Sequence, residues 1–137
     1  MHRLPAGIVF LAALTLVGAC ESDAPATPDS PIDVSLVLAP GETRAVAGTS
    51  LQLQFQGVLG DSRCPADALC IQGGDAMVRI HVLSNGAAPA AYDLHTGNLQ
   101  PARHDSVTIA LVNLSPYPFS SRPINPDDYR ATLRVTR

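Results

Sequence analysis

Two cysteines close together in the chain carry the most distinctive chemistry in this sequence. They bound the run Cys64-Pro65-Ala66-Asp67-Ala68-Leu69-Cys70. Thiols at this spacing can form a disulfide, act as a reactive pair, or bind a metal ion. A tetrahedral zinc site needs four ligands, and the sequence has no Cys-x-x-Cys and no His-x-x-x-His to complete one. The choice between the other two chemistries depends on the compartment in which the protein matures.

The N-terminal residues have the pattern of an export signal. Arg3 and the amino terminus precede an apolar run, which ends at Val17-Gly18-Ala19-Cys20. A charged start, an apolar centre and small residues at the cut are typical of such signals. The run is too short for a good membrane-spanning helix. The alternative interpretation is an ordinary cleaved signal peptide followed by an incidental cysteine.

The last four residues of this signal resemble the lipobox of bacterial lipoproteins. The resemblance implies removal of residues 1–19 and acylation of Cys20. Residues 20–31 then form an acylated, extended tether, because they contain three prolines and no apolar periodicity. Two or more acyl chains hold a protein stably on a bilayer, so the membrane is the expected first partner. In the lipoproteins that the chain resembles, Glu21 in place of aspartate favours the outer over the inner membrane.

An exported protein matures in an oxidising compartment, so we expect a disulfide between Cys64 and Cys70. Closing a loop this short stabilises the fold by about 2 kcal/mol, because it restricts the unfolded chain. The neighbouring residues suggest local bonding as well. Asp61 suits an Asx-type turn, and Arg63 suits an ion pair with Asp61, Asp67 or Asp75.

The same residues belong to a longer motif. Asp61-Ser62-Arg63-Cys64-Pro65 precedes the loop, and Cys70-Ile71-Gln72-Gly73-Gly74-Asp75-Ala76 closes it. This pattern resembles an uncharacterised family of bacterial secreted proteins and lipoproteins with the signature D-S-R-C-P…C-x-W-x-G-x-A. Gln72 replaces the tryptophan that is common in that family, so a function that depends on the indole is in doubt. The resemblance implies an envelope location and brings no established activity.

Two interpretations of the motif remain open. It is either a staple that stabilises the fold or a binding loop formed by Asp61, Arg63 and Asp67. A binding loop suggests a second class of function. A basic residue next to a disulfide, such as Arg63, is what the pocket of a trypsin-like enzyme accepts, so inhibition of extracytoplasmic proteases is an alternative.

Enzymatic function has little support in the sequence. Catalysis would need a nucleophile with a base within reach, and the candidate bases are His81, His95 and His104. No G-x-S-x-G motif or other local signature accompanies them. Lysine is absent, which excludes Schiff-base chemistry and a P-loop. We therefore expect a protein that is not an enzyme and uses no cofactor.

Nucleic acid is also excluded as a partner. All nine basic residues are arginines without a clustered patch, and they are outnumbered by twelve acidic residues. Binding to a phosphate backbone depends on such a patch.

A metal- or small-ligand-binding module is a further alternative. The histidines together with Asp105, or the carboxylates of Asp61, Asp67 and Asp75, are suitable donor types. Neither group has EF-hand spacing or a histidine pair at positions i and i+2. No metal ligand is assigned.

Short β-strands are the elements that must position these residues. Six segments alternate between apolar and polar residues, and no stretch after the tether has a sustained helical period. The six segments are 32–38, 51–56, 76–82, 92–94, 107–111 and 129–135.

This number of strands, separated by turn-forming residues, predicts one domain over residues 32–137. We expect an antiparallel β-sandwich with immunoglobulin-like Greek-key connectivity, and a small barrel is the alternative. The proline-rich stretch 115–126 cannot be a central strand, because proline lacks the amide that pairs strands. We expect this stretch to cross from one sheet to the other before the last strand. The function favoured by the sequence is a lipid-anchored envelope protein with a non-enzymatic binding or structural domain.

Overall fold

The computed structural model describes residues 30–97 and 100–137, which form an all-β domain. The predicted signal peptide, Cys20 and most of the tether lie outside these residues. No helix in the described part of the chain is long and apolar enough to cross a membrane. The strands of the domain are β1 (Asp33–Leu38), β2 (Thr43–Ala45), β3 (Gln52–Asp61), β4 (Ala76–Leu83), β5 (Ala90–His95), β6 (Ala102–His104), β7 (Val107–Ser115) and β8 (Arg130–Thr136).

The strands form two antiparallel four-stranded sheets, as the predicted sandwich requires. One sheet has the order β1-β8-β7-β6 and the other β2-β3-β4-β5. Successive side chains of a strand point to opposite faces, so every second residue enters the core between the sheets. In β4, Ala76, Val78, Ile80 and Val82 are all buried, whereas Arg79 is exposed. The alternation seen in the sequence is therefore the packing pattern of the domain.

The connectivity differs from the expected Greek key. Neighbouring strands within each sheet are consecutive in the chain, apart from β1 and β8. The chain changes sheet only between β1 and β2 and between β5 and β6. The fold is thus an up-and-down meander divided between two sheets, in which the β1–β8 pair joins the two ends of the chain. Short turns between antiparallel neighbours favour this arrangement.

The prediction that the proline-rich stretch changes sheet was wrong. It joins β7 to β8, which are neighbours in one sheet, with Ser115 opposite Arg130. The stretch leaves this sheet, contacts the cysteine loop that follows β3, and returns. The Ala66 amide donates a 2.9 Å hydrogen bond to the Pro118 carbonyl across this contact. Contact between loops therefore links the two sheets here, without a change of sheet by the chain.

The sandwich has two distinct ends. At one end, called the terminal pole, Ile32 and Arg137 exchange backbone hydrogen bonds next to the beginning of β1 and the end of β8. At the opposite end, called the loop pole, β3 and β7 end and β4 and β8 begin. The cysteine loop and the proline-rich stretch both lie at the loop pole. The predicted tether thus enters the domain at the end farthest from the cysteine loop.

Candidate functional site

A disulfide joins Cys64 and Cys70, as predicted. The loop that it closes lies between β3 and β4, and both Leu69 within the loop and Ile71 just after it are fully exposed to solvent. Both thiols are consumed by this bond, so neither is available as a nucleophile or a metal ligand.

Arg63 is the only buried charged residue in the described part of the chain, with 8% of its surface exposed. Its Nε lies 2.8 Å from Oδ1 of Asp61, and its Nη2 lies 2.6 Å from Oδ2. The guanidinium also donates to two carbonyls at the end of β7 in the facing sheet, at 2.6 Å to Leu114 within the strand and at 3.0 Å to Pro116 just after it. A planar guanidinium can meet a carboxylate at two points and still reach further acceptors. Arg63 therefore fastens the end of β3 to the end of β7.

Asp61 is held by three groups at once. Besides the Arg63 side chain, it accepts a hydrogen bond from the Arg63 amide at 3.1 Å, which forms the expected Asx-type turn. The hydroxyl of Tyr129 donates to Oδ2 at 3.0 Å. Burial raises the pKa of Asp61, but these hydrogen bonds outweigh it, so the pKa lies below its usual value. The carboxylate therefore stays charged and paired.

The aromatic ring of Tyr117 completes the surroundings of Arg63. The centre of the ring lies 5.0 Å from the guanidinium carbon, within the range of a cation–π contact. The hydrogen bond to Asp61 raises the pKa of Arg63 above its usual value, although burial opposes it. Arg63 is thus a permanently charged side chain inside the domain, and its guanidinium donates four hydrogen bonds.

Asp67 is bonded to Ser120 and not to Arg63, the partner that the sequence suggested. Its carboxylate accepts hydrogen bonds from the amide and hydroxyl of Ser120, at 2.8 and 2.6 Å. These bonds lower the pKa of Asp67. Asp61, Arg63 and Asp67 thus do not form one exposed set. Asp61 and Arg63 lie inside the domain, whereas Asp67 fastens the outer face of the cysteine loop to the proline-rich stretch.

Gly74 lets the chain return from the loop into β4. Its backbone has φ of +66°, and a Cβ at this position would lie 1.8 Å from the carbonyl oxygen of Ser62. The backbone on both sides is paired, because the Ser62 amide donates to the Asp75 carbonyl at 2.7 Å and the Cys64 amide to the Gly73 carbonyl at 3.0 Å. Only glycine fits this close approach.

Asp75 belongs to a separate cluster beside the loop. Its carboxylate accepts from the Thr96 hydroxyl at 2.9 Å and from the Gly97 amide at 2.6 Å, and His95 Nδ1 lies 2.6 Å from it. Burial raises the pKa of Asp75, but these hydrogen bonds outweigh it and lower the pKa to about 2. A carboxylate that orients a histidine is two-thirds of a catalytic triad. No hydroxyl or thiol is hydrogen-bonded to the other nitrogen of His95 within the described residues.

The remaining histidines lie elsewhere. His81 is on the outer face of β4, paired with Ala91 of β5. His104 points toward the core, where its Nδ1 lies 2.9 Å from the Tyr92 hydroxyl. The structure thus does not bring the three histidines together. In the described ranges, no three His, Cys, Asp or Glu side chains are grouped so that they could hold a metal ion.

Two adjoining clefts at the loop pole were not predicted from the sequence. They have volumes of about 290 and 280 Å³ and share the side chains of Phe119, Arg122, Pro123 and Ile124. The spacing of aromatic residues and prolines after β7 is the sequence signal for these clefts, but this pattern by itself predicts only a connection between strands.

A comparison of the chain with protein-family models, with curated proteins and with solved structures finds no match.

Proposed function

We propose that this protein is a lipid-anchored protein of the bacterial cell envelope, attached to the membrane through an acylated Cys20. Its β-sandwich has a non-enzymatic binding or structural role, on the periplasmic or outer surface of the outer membrane. The observation that carries the proposal is the position of the disulfide loop at the pole opposite the N-terminus of the domain.

This geometry suits a tethered domain. The chain joins β1 at the terminal pole, and a tether of residues 20–31 extends up to about 40 Å at about 3.3 Å per residue. A bilayer holding Cys20 is therefore connected to the domain at the terminal pole. The loop pole lies at the end of the domain opposite this attachment point, so the anchor leaves it accessible to other envelope molecules.

The geometry favours a binding or structural role over protease inhibition. An inhibitory arginine must enter the pocket of the enzyme as a free side chain. Arg63 is buried and bonded to Asp61 and to two carbonyls. Releasing it would leave the Asp61 carboxylate inside the domain without a counter-charge, which is strongly unfavourable.

Metabolic labelling with an alkyne fatty acid in a bacterial host tests the anchor. We expect the wild-type chain to take up the label. The mass of the mature protein should equal that of a chain that begins at an acylated Cys20. The Cys20→Ala variant should take up none, whereas Cys64→Ser/Cys70→Ser should be labelled like the wild type. An unlabelled wild-type chain, or one that retains Met1, would contradict the proposal.

A further inference from the structure

A turn in the proline-rich stretch holds an aromatic ring and a guanidinium side by side. Phe119 and Arg122 are partners in an isolated antiparallel bridge, with the Arg122 amide donating to the Phe119 carbonyl at 3.2 Å. Side chains of directly opposite residues project to the same face. Both residues line both clefts of the loop pole.

The charge of Arg122 is not neutralised within the domain. Its guanidinium forms no hydrogen bond and no ion pair with residues 30–97 or 100–137, and it is exposed. This contrasts with Arg63, which forms an ion pair with Asp61 and hydrogen bonds with neighbouring carbonyls. Arg122 therefore offers both edges of its guanidinium to an external anion, and a carboxylate matches this shape at two points.

The surroundings of Arg122 are apolar. Tyr117 and Phe119 are each 51% exposed, and the walls between them include Pro123 and Ile124. Arginine and large aromatic side chains are the types that contribute most to protein interfaces. An occupant that matches these walls carries an apolar side chain next to its carboxylate.

The clefts are held in shape before anything binds. Asp67 fastens Ser120, which lies within the turn, and the disulfide holds the loop that carries Asp67. Prolines at 116, 118 and 123 fix further backbone angles. A surface that is rigid in advance loses little entropy on binding, so a short segment suffices as a partner.

We propose that the clefts around Phe119 and Arg122 bind an extended segment of a partner protein. In that segment an acidic side chain pairs with Arg122, and a neighbouring aliphatic or aromatic side chain packs on Tyr117 and Phe119. The inference deepens the binding role proposed above but does not use the lipid anchor.

The charges of the loop pole favour a polypeptide over a lipid surface. Three carboxylates are exposed at this pole, those of Asp67, Asp127 and Asp128, against the two exposed guanidinium groups of Arg122 and Arg130, and Asp128 lines one of the clefts. Anionic headgroups are repelled by such carboxylates, whereas a peptide can place a single carboxylate at Arg122.

Selection from a phage-displayed library of random heptapeptides tests the proposal, with the full chain as target. We expect enrichment of peptides that have Asp or Glu within two positions of Leu, Ile, Phe or Tyr. Synthetic copies should bind the wild type in calorimetry. Arg122→Ala and Phe119→Ser should each raise the Kd at least fivefold. Arg103→Ala, on β6 at the far edge of the sheet, should change it less than twofold.

Any of three results would overturn the inference. The first is a selection without enrichment, and the second is a set of enriched peptides whose Kd is the same for Arg122→Ala and Arg103→Ala. The third is protection of Tyr117 and Phe119 by phosphatidylglycerol vesicles in hydroxyl-radical footprinting, which would assign the pole to a lipid surface. Unfolding midpoints of the variants equal to wild type show that the domain remains folded. Failure of peptide binding leaves acylation of Cys20 unaffected as a proposal, and the reverse also holds.

Discussion

The Arg63 guanidinium binds the Asp61 carboxylate at two points, at 2.8 and 2.6 Å, and also donates to the carbonyls of Leu114 and Pro116 at the end of β7. The pair lies where β3 ends, next to the last residues of β7. A buried arginine of this kind has no alternative partner in solvent, so both of its contacts depend on the packing of the two sheets. The loop pole is thus held together by a charged pair beneath a disulfide.

Removal of Arg63 should destabilise the domain strongly. Arg63→Ala leaves the Asp61 carboxylate buried without a counter-charge, with only the Tyr129 hydroxyl and the amide of residue 63 as hydrogen-bond donors, which costs about 3 kcal/mol. Arg63→Lys should recover only part of this loss, because an ammonium cannot meet the carboxylate at two points. Urea unfolding followed by circular dichroism measures both. Arg79→Ala, which breaks an exposed pair with Asp93, is the matched control and should hardly move the midpoint. Equal midpoints for the two alanine variants would show that Arg63 is not a structural link.

The close approach at Gly74 can be tested with its neighbour as control. Gly74→Ala places a Cβ against the Ser62 carbonyl in a backbone region unfavourable to alanine, and we expect a loss of about 3 kcal/mol or more, or failure to fold. Gly73→Ala meets nothing within 4 Å and should be nearly neutral. Urea midpoints of the two variants give the comparison. A Gly74→Ala protein as stable as Gly73→Ala would mean that the loop return is freely adaptable.

Acid should weaken the domain partly through Asp75. Its pKa is about 2 in the folded protein against an ordinary value of 3.8, so the unfolded chain binds the proton more readily. The stabilisation is complete above pH 3.8 and is lost as the pH falls toward 2. Asp75→Asn should therefore be less stable than the wild type at pH 6, and the difference should shrink between pH 4 and pH 2. A difference that stays constant to pH 2 would contradict the assigned hydrogen bonds.

Loss of the disulfide should have a moderate effect. Cys64→Ser/Cys70→Ser should lower the free energy of unfolding by about 2 kcal/mol, because the unfolded chain is no longer restricted by the loop. Under reducing conditions the wild type should lose about the same amount, and the double variant should be unaffected. Thiol titration of denatured wild type from the bacterial envelope should detect no reactive Cys64 or Cys70. Free thiols at these positions would contradict maturation in an oxidising compartment.

The sequence predicted the long strands well, because alternation is a local pattern that directly reflects burial. It did not predict β2 and β6, since three-residue strands are too short to display a period. The sequence also did not predict that the proline-rich stretch joins two neighbouring strands of one sheet. Prolines show where a strand cannot continue, but they do not say which strand comes next in space.

The candidate site divides in the same way. Spacing alone pointed to the Cys64–Cys70 bond and to the Asx-type turn at Asp61, because both join residues close in the chain. Local spacing left three carboxylates as partners for Arg63. Arg63 pairs with Asp61 because the carbonyls of Leu114 and Pro116, at the end of β7 in the other sheet, hold the guanidinium in one orientation.

The sequence by itself determined which side chains face the core and which cysteines are paired, since both depend on period and short range. The tertiary structure decided the partner of Arg63, the free charge of Arg122 and the separation of the loop pole from the chain ends. Each of these depends on contacts between segments that are far apart in the chain and come together only when the two sheets pack. Local sequence patterns do not predict such contacts.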